Sequence, residues 1–243
     1  MGGGWKVKDK DVEDIRSDFP FFEERHSGKE FIYFDSACMA LKPVQVIRAM
    51  QDYYYQYPGC AGRSAHRVAE RVELGIEEAR RRVGDFIGAR DEEIVFTRNT
   101  TEGINLLVRS LGLKKGDEVI ISDKEHNSNL VPWLYARESQ GIKVSVVRTN
   151  KDNTFNLEGL QEIISDRTKF ASFVYTSNMD GVSNPVKDIS KICHENGVRV
   201  HFDAAQAVPH KPVSVKEVGG GFFDFFGSQD DGSVRNRGFM GEY

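Results

Sequence analysis

The 243-residue sequence is short of cysteine, carries no basic excess and has no long apolar run, and each shortage closes off a class of protein. Its three cysteines, Cys38, Cys60 and Cys193, are widely spaced and form no CxxC pair. That pattern suits a reducing compartment, so a cytoplasmic location is expected, and it argues against a disulfide framework or a zinc site. A net charge of −4 leaves no electrostatic footprint for nucleic acid. No stretch approaches the ~20 apolar residues of a membrane-crossing helix. Residues 1–18 are charged where a signal peptide would be apolar. The glycine patterns of a P-loop or a dinucleotide fold do not occur. What is present is a 39% hydrophobic, 29% charged chain, long enough to bury a substantial core in one large domain or one and a half. Its last fifteen residues do not read like the rest.

Periodicity orders the chain. Residues 8–24 read as a short acidic helix ending near Pro20, and 31–35 (FIYFD) as a short apolar strand. Helices are expected over 43–57 and 68–87, with the glycine-punctuated loop 58–63 between them. Strands over 93–97, 117–122, 143–148, 169–175 and 199–203 then alternate with helices over 102–111, 130–140, 157–164 and 186–196. A further strand comes at 222–226. Such alternation predicts an α/β fold, a three-layer α/β/α arrangement with a mainly parallel sheet. Ligands of such sheets sit at the carboxyl ends of the strands.

Four of those strand ends carry polar groups of four kinds. After 93–97 come Arg98, Asn99, Thr100, Thr101 and Glu102, either a simple helix cap on Thr100 or Thr101 or an anion site. After 117–122 comes His126, a surface histidine or a ring able to lie flat on a planar ligand. After 169–175 comes Asn178, a turn former or a partner for a phenolic oxygen. Strand 199–203 ends in Asp203, with Ala204, Ala205 and Gln206 after it. The acid either caps the next helix or pairs with a protonated ring nitrogen. Together the four suit one ligand with a phosphate, a flat ring, a phenolic oxygen and a ring nitrogen.

These residues carry a resemblance. Tyr33-Phe34-Asp35-Ser36-Ala37, the run from Thr97 to Asn105, Glu125-His126-Asn127-Ser128-Asn129, Ser177-Asn178 with Gly181, and His201-Phe202-Asp203-Ala204-Ala205-Gln206 make the chain similar to fold-type I pyridoxal 5′-phosphate (PLP) enzymes. Within these it resembles the class V aminotransferase group, especially cysteine desulfurases and selenocysteine lyases. The resemblance implies that Thr100 and Thr101 hold the phosphate and that His126 stacks on the ring. Asn178 and Gln206 would meet the phenolic oxygen, and Asp203 would keep the ring nitrogen protonated. His66 falls where the family places a histidine near the substrate, or it is an ordinary helix-start histidine. The resemblance also implies a seven-stranded sheet, a homodimer, an amino-acid substrate and, for a desulfurase, a sulfur-acceptor protein. Aminotransferase, kynureninase-like and epimerase-like chemistry share the same landmarks. An N-terminal segment over 1–30 and a PLP-binding domain over 31–243 are expected, the latter ending short of the family's small C-terminal domain.

The family's Schiff-base lysine is missing. It is expected near Gln229 and Asp230, but no lysine follows Lys216. Lys211 and Lys216 precede the strand and read as surface charges. Cys193 reads as core, and Cys60, in its loop, is the least implausible reactive thiol; neither matches the family's nucleophile. The genetic code suggests how a lysine was lost. Shifted by one base, the codons of Gln229 and Asp230 are forced to ARG, lysine or arginine. Residues 228–237 then permit His-Lys-Met-Met-Gly-Pro-Ser-Gly-Thr-Gly, the order of the family's lysine loop. A pair of compensating frameshifts is therefore expected around 228–237, with the family strand resuming at Gly238-Phe239-Met240. The alternative is a chain that binds PLP non-covalently and is inactive as written.

Overall fold

The computed structural model describes residues 9–24, 28–225 and 239–241. They divide into two compact units, with the division between Glu78 and Ala79. The boundary expected after residue 30 falls within the first unit.

The first unit contains α1 (Asp9–Ser17), a 3-10 turn (Pro20–Glu23), α2 (Val44–Gln56) and the start of α3 (Arg67–Ile87). The acidic helix expected over 8–24 stops at Ser17. Pro20 forces Phe19 into extended backbone (φ −104°, ψ 102°), so the chain resumes only as the 3-10 turn. Residues 31–35 do not form a strand, which corrects the expectation. Phe21 instead packs on Phe31 and Tyr33, with ring centroids 5.0 and 5.4 Å apart, while Ile32 and Phe34 remain 77% and 94% exposed.

The second unit is built on a seven-stranded sheet: β1 (Val95–Phe96), β2 (Glu118–Ser122), β3 (Lys143–Val147), β4 (Thr168–Val174), β5 (Arg199–Asp203), β6 (Phe222–Phe225) and β7 (Phe239–Gly241), in the order β1-β7-β6-β5-β4-β2-β3. β6, β5, β4, β2 and β3 run parallel. β7 pairs antiparallel with both β6 and β1, so the strand expected to resume at 238–240 is present. Helices α4 (Thr100–Ser110) and α5 (Asn127–Gln140) cover one face, where Ile104, Leu107 and Trp133 meet Val119, Ile121 and Phe170. Helices α6 (Leu157–Ile163), α7 (Val186–Glu195) and α8 (Val215–Val218) cover the other, where Leu160, Ile189 and Val218 join a core with Ile120, Phe173, Phe202 and Phe223. Neighbouring residues of β2, β4 and β6 thus enter different cores, which is why these strands read as nearly unbroken apolar runs.

One acid braces the amino end of the sheet. Glu118 opens β2 and is buried, yet four groups serve its carboxylate. Lys143 Nζ and Ser145 Oγ meet Oε1 at 2.7 and 2.6 Å, and Ser165 Oγ and Thr168 Oγ1 donate to Oε2 at 2.8 and 2.9 Å. Burial alone would raise its pKa, but these donors together hold it down at about 2. A carboxyl lowered on folding stabilises the fold above its unfolded pKa, and that stability is lost as pH falls from about 4.5 towards 2. Glu118→Gln is therefore expected to lose about 3 kcal/mol at pH 7, with the difference from wild type closing as pH falls through that window. Denaturant unfolding across pH checks this.

Candidate functional site

The carboxyl edge of the sheet is where the expected residues gather. Thr100 and Thr101 open α4 directly after β1, so their N–H groups precede the first intrahelical bond. The cap is neither threonine, which corrects the expectation. Asn99 Oδ1 accepts from Glu102 N at 2.8 Å, leaving both hydroxyls for other partners. Asn caps at least as readily as Thr, and the β-region backbone at Asn99 (φ −166°) selects it. Thr100 Oγ1 is buried and finds no hydrogen-bond partner among the described residues. Thr101 Oγ1 donates to Ser128 Oγ at 2.8 Å, which ties the start of α4 to the start of α5.

His126 is itself the cap of α5. Its Nδ1 accepts from Ser128 N at 3.2 Å and lies 3.0 Å from Ser128 Oγ. That contact fixes the ring and leaves the proton of the neutral imidazole on Nε2. Beside it, Glu125 turns its carboxylate inward, accepting from Ser122 Oγ and from Asn129 Nδ2 at 2.6 Å. Burial outweighs these bonds and pushes the carboxyl up to about 7. Asp203 ends β5 and is only 3% exposed. Ala205 N donates to its Oδ1 at 3.1 Å. Burial raises its pKa, against the pull of that bond and of the charges of His201 and His126.

Glu118 and Asp203 are thus both buried acids on strand ends, but at opposite ends and with opposite character. Glu118 is saturated with donors. Asp203 has a single backbone donor, so burial dominates, and a cationic partner would relieve it.

Asn178 is exposed in the turn beyond β4. Gln206 is half-buried with Oε1 3.2 Å from His210 Nε2. His66 lies in the first unit, where its Nδ1 accepts from Ala69 N at 3.2 Å, the bond of a helix-start cap on α3. Lys211 is not the surface charge expected: it is half-buried, bonds Ser183 Oγ at 2.8 Å and sits 3.9 Å over the Tyr175 ring. Lys216 lies exposed in α8. Cys193 is core, its thiol pushed up to about 12 by burial, while Cys38 and Cys60 are exposed. Gln229, Asp230 and the whole 228–237 stretch lie outside the described residues. Among the described residues no cluster of three His, Cys, Asp or Glu could hold a metal ion, and no helix is long and apolar enough to cross a membrane.

Sequence reasoning missed a buried polar ladder beneath Asp203. Trp133 Nε1 and Ser172 Oγ both donate to Asn129 Oδ1, at 3.2 and 2.6 Å. Ser172 Oγ also lies 2.7 Å from His201 Nδ1, and His201 Nε2 lies 3.2 Å from Asp224 Oδ2. The signal was there: Ser172, His201 and Asp224 are polar interruptions in three apolar strands, and His201 lies two residues before Asp203, on the same face.

A family model described as Aminotransferase class-V matches residues 32–229. The chain belongs to this family. Class-V aminotransferases and cysteine desulfurases use PLP. Among curated relatives, a cysteine desulfurase of Haloferax volcanii is 36% identical over 234 residues, covering 89% of this chain and 55% of its own length. A cysteine desulfurase of Salmonella newport is 37% identical over 220 residues, covering 89% of this chain and 54% of its own. Among solved structures, an apo cysteine desulfurase from Thermococcus onnurineus NA1 superposes with a TM-score of 0.85 at 33% identity, over 95% of this chain and 56% of that one. The cysteine desulfurase CsdA from Escherichia coli gives 0.82 at 31%, over 95% and 57%. The chain therefore spans about half the length of the curated relatives it matches. The described site fits the family's cofactor in two respects: an orphaned buried hydroxyl at a helix N-terminus, and a buried carboxylate short of partners at a strand end.

Proposed function

We propose that these residues form the PLP-holding core of an enzyme that removes sulfur from cysteine, working as a homodimer with a sulfur-acceptor protein. The names of the similar proteins support the reaction. The observation that carries the cofactor reading is Asp203, a buried acid whose burial is left uncompensated. When bound, PLP supplies an electron sink for the pair released as a bond at the substrate Cα breaks. Asp203 provides the fixed negative charge for a ring-nitrogen proton. The opening N–H groups of α4, with the Thr100 and Thr101 hydroxyls, favour a phosphate. His126, immobilised by Ser128, offers a flat face, and Asn178 and Gln206 serve the phenolic oxygen.

A second reading is favoured by the sequence itself. With no lysine after Lys216, we propose that the chain as written holds PLP without a covalent bond and does not turn over. Gel filtration of the chain with PLP, then borohydride reduction and peptide mass spectrometry, tests both readings. The expected result is retained PLP with no single lysine labelled stoichiometrically, and sulfide release from cysteine no faster than with free PLP. Failure to retain PLP overturns the cofactor reading. A fixed lysine label or faster sulfide release overturns the non-covalent one.

A further inference from the structure

The ladder beneath Asp203 fixes where its protons lie. An indole N–H can only donate, so the Asn129 atom facing Trp133 is the oxygen. Asn129 then points its amide nitrogen at Glu125, as an acceptor carboxylate requires. Ser172 has one hydroxyl hydrogen and two neighbours, Asn129 Oδ1 at 2.6 Å and His201 Nδ1 at 2.7 Å. Were that hydrogen turned to His201, two bare oxygens would face each other at 2.6 Å, so it goes to Asn129. Ser172 Oγ must therefore accept from His201, whose Nδ1 carries a proton. This leaves His201 Nε2 to face Asp224, with one proton between them. Either the imidazole is charged and the carboxyl ionised, or both are neutral; the pair has no net charge in either case.

Asp224 needs this partner. It is fully buried, no aligned hydrogen bond from the described residues reaches its carboxylate, and its Oδ1 lies against Gly103 of α4. Register places Asp224 directly beside Asp203 on the neighbouring strand. Among the described residues, the titratable groups facing the pair are Asp203 on β5, Glu125 on the β2–α5 connection and His126 beyond it, and the packed helices present Gly103, Asn129 and Trp133.

We propose that His201 is a positioning residue for Asp203. Locked by Trp133, Asn129 and Ser172 on one side, it neutralises Asp224 on the other, so that of the two neighbouring aspartates only Asp203 bears net negative charge. The role towards the cofactor rests on the function proposed above; the proton arrangement does not.

Two arms separate them. In the cofactor-free chain, 15N NMR of labelled histidine, assigned with His201→Gln, is expected to show His201 Nδ1 protonated from pH 6 to 8. Ser172→Ala is expected to release the ring to a tautomer mixture. A wild-type His201 with bare Nδ1 overturns the lock. In the second arm, PLP affinity is measured by equilibrium dialysis. His201→Gln is expected to bind at least tenfold more weakly at pH 7.5, and His201→Gln/Asp224→Asn to recover to within about threefold of wild type, because no unpaired charge remains. Losses that merely add overturn the positioning role. Wild-type chain that binds no PLP removes that role together with the function reading, while the NMR arm still decides the lock.

Discussion

Asp203→Asn is expected to weaken PLP binding by about 100-fold, on the order of 3 kcal/mol, the range for removing one partner of a buried charge pair. Asparagine keeps the shape of the side chain and can still accept from Ala205 N, so the local turn survives. What it removes is charge. The same change should leave the cofactor-free fold at least as stable as wild type at neutral pH. Burial raises the Asp203 pKa, so the wild-type fold loses stability as pH rises above the ordinary value of 3.8, and the asparagine variant does not. Weaker binding with undiminished stability separates a ligand-facing acid from a structural one. Glu118→Gln makes the contrast, because there stability falls. Equilibrium dialysis with PLP and urea unfolding at pH 4 and pH 7 read the two quantities.

Gly103→Ala carries the second large effect, on the fold itself. A Cβ on Gly103 would stand 2.1 Å from Asp224 Oδ1 and 2.9 Å from its Cγ. Alanine favours a helix interior by about 1 kcal/mol over glycine. Overpacking a filled core typically costs about 1–3 kcal/mol and sometimes more. Here the contact is too close for a side-chain adjustment, because Asp224 on β6 is fully buried against His201. The clash is expected to win, with a net loss of about 2 kcal/mol in urea unfolding. Because α4 would have to shift, PLP affinity should fall too, through Thr100 and Thr101 at its first turn. The clash predicts strong coupling: in the Gly103→Ala background, Asp224→Ala should cost far less than it does alone. Simple additivity would mean that α4 has room to spare against β6.

The strand-end residues were legible because the alternation of strands and helices fixes where carboxyl ends fall. β5 ends at Asp203 and β2 stops four residues short of His126, close to where the pattern put them. The Asn99 cap was not legible, since Asn99, Thr100 and Thr101 are all competent and only backbone geometry chooses. Residues 31–35 have the composition of a strand, but pairing depends on a partner that sequence does not name. The His201–Asp224 pair needed strand order and register, which bring together residues 23 positions apart. Seen in one strand, His201 or Asp224 is only a polar residue among apolar ones. Crossing β4, β5 and β6, they form one continuous ladder.

Whether the carboxyl edge holding Thr100, Thr101, His126 and Asp203 is a PLP site is decided most directly by a crystal structure of the chain soaked with PLP. The phosphate is expected at the N-terminus of α4 against Thr100 and Thr101, the ring beside His126, and its nitrogen within hydrogen-bond distance of Asp203. PLP bound elsewhere, or bound at this edge with its nitrogen away from Asp203, would contradict that assignment.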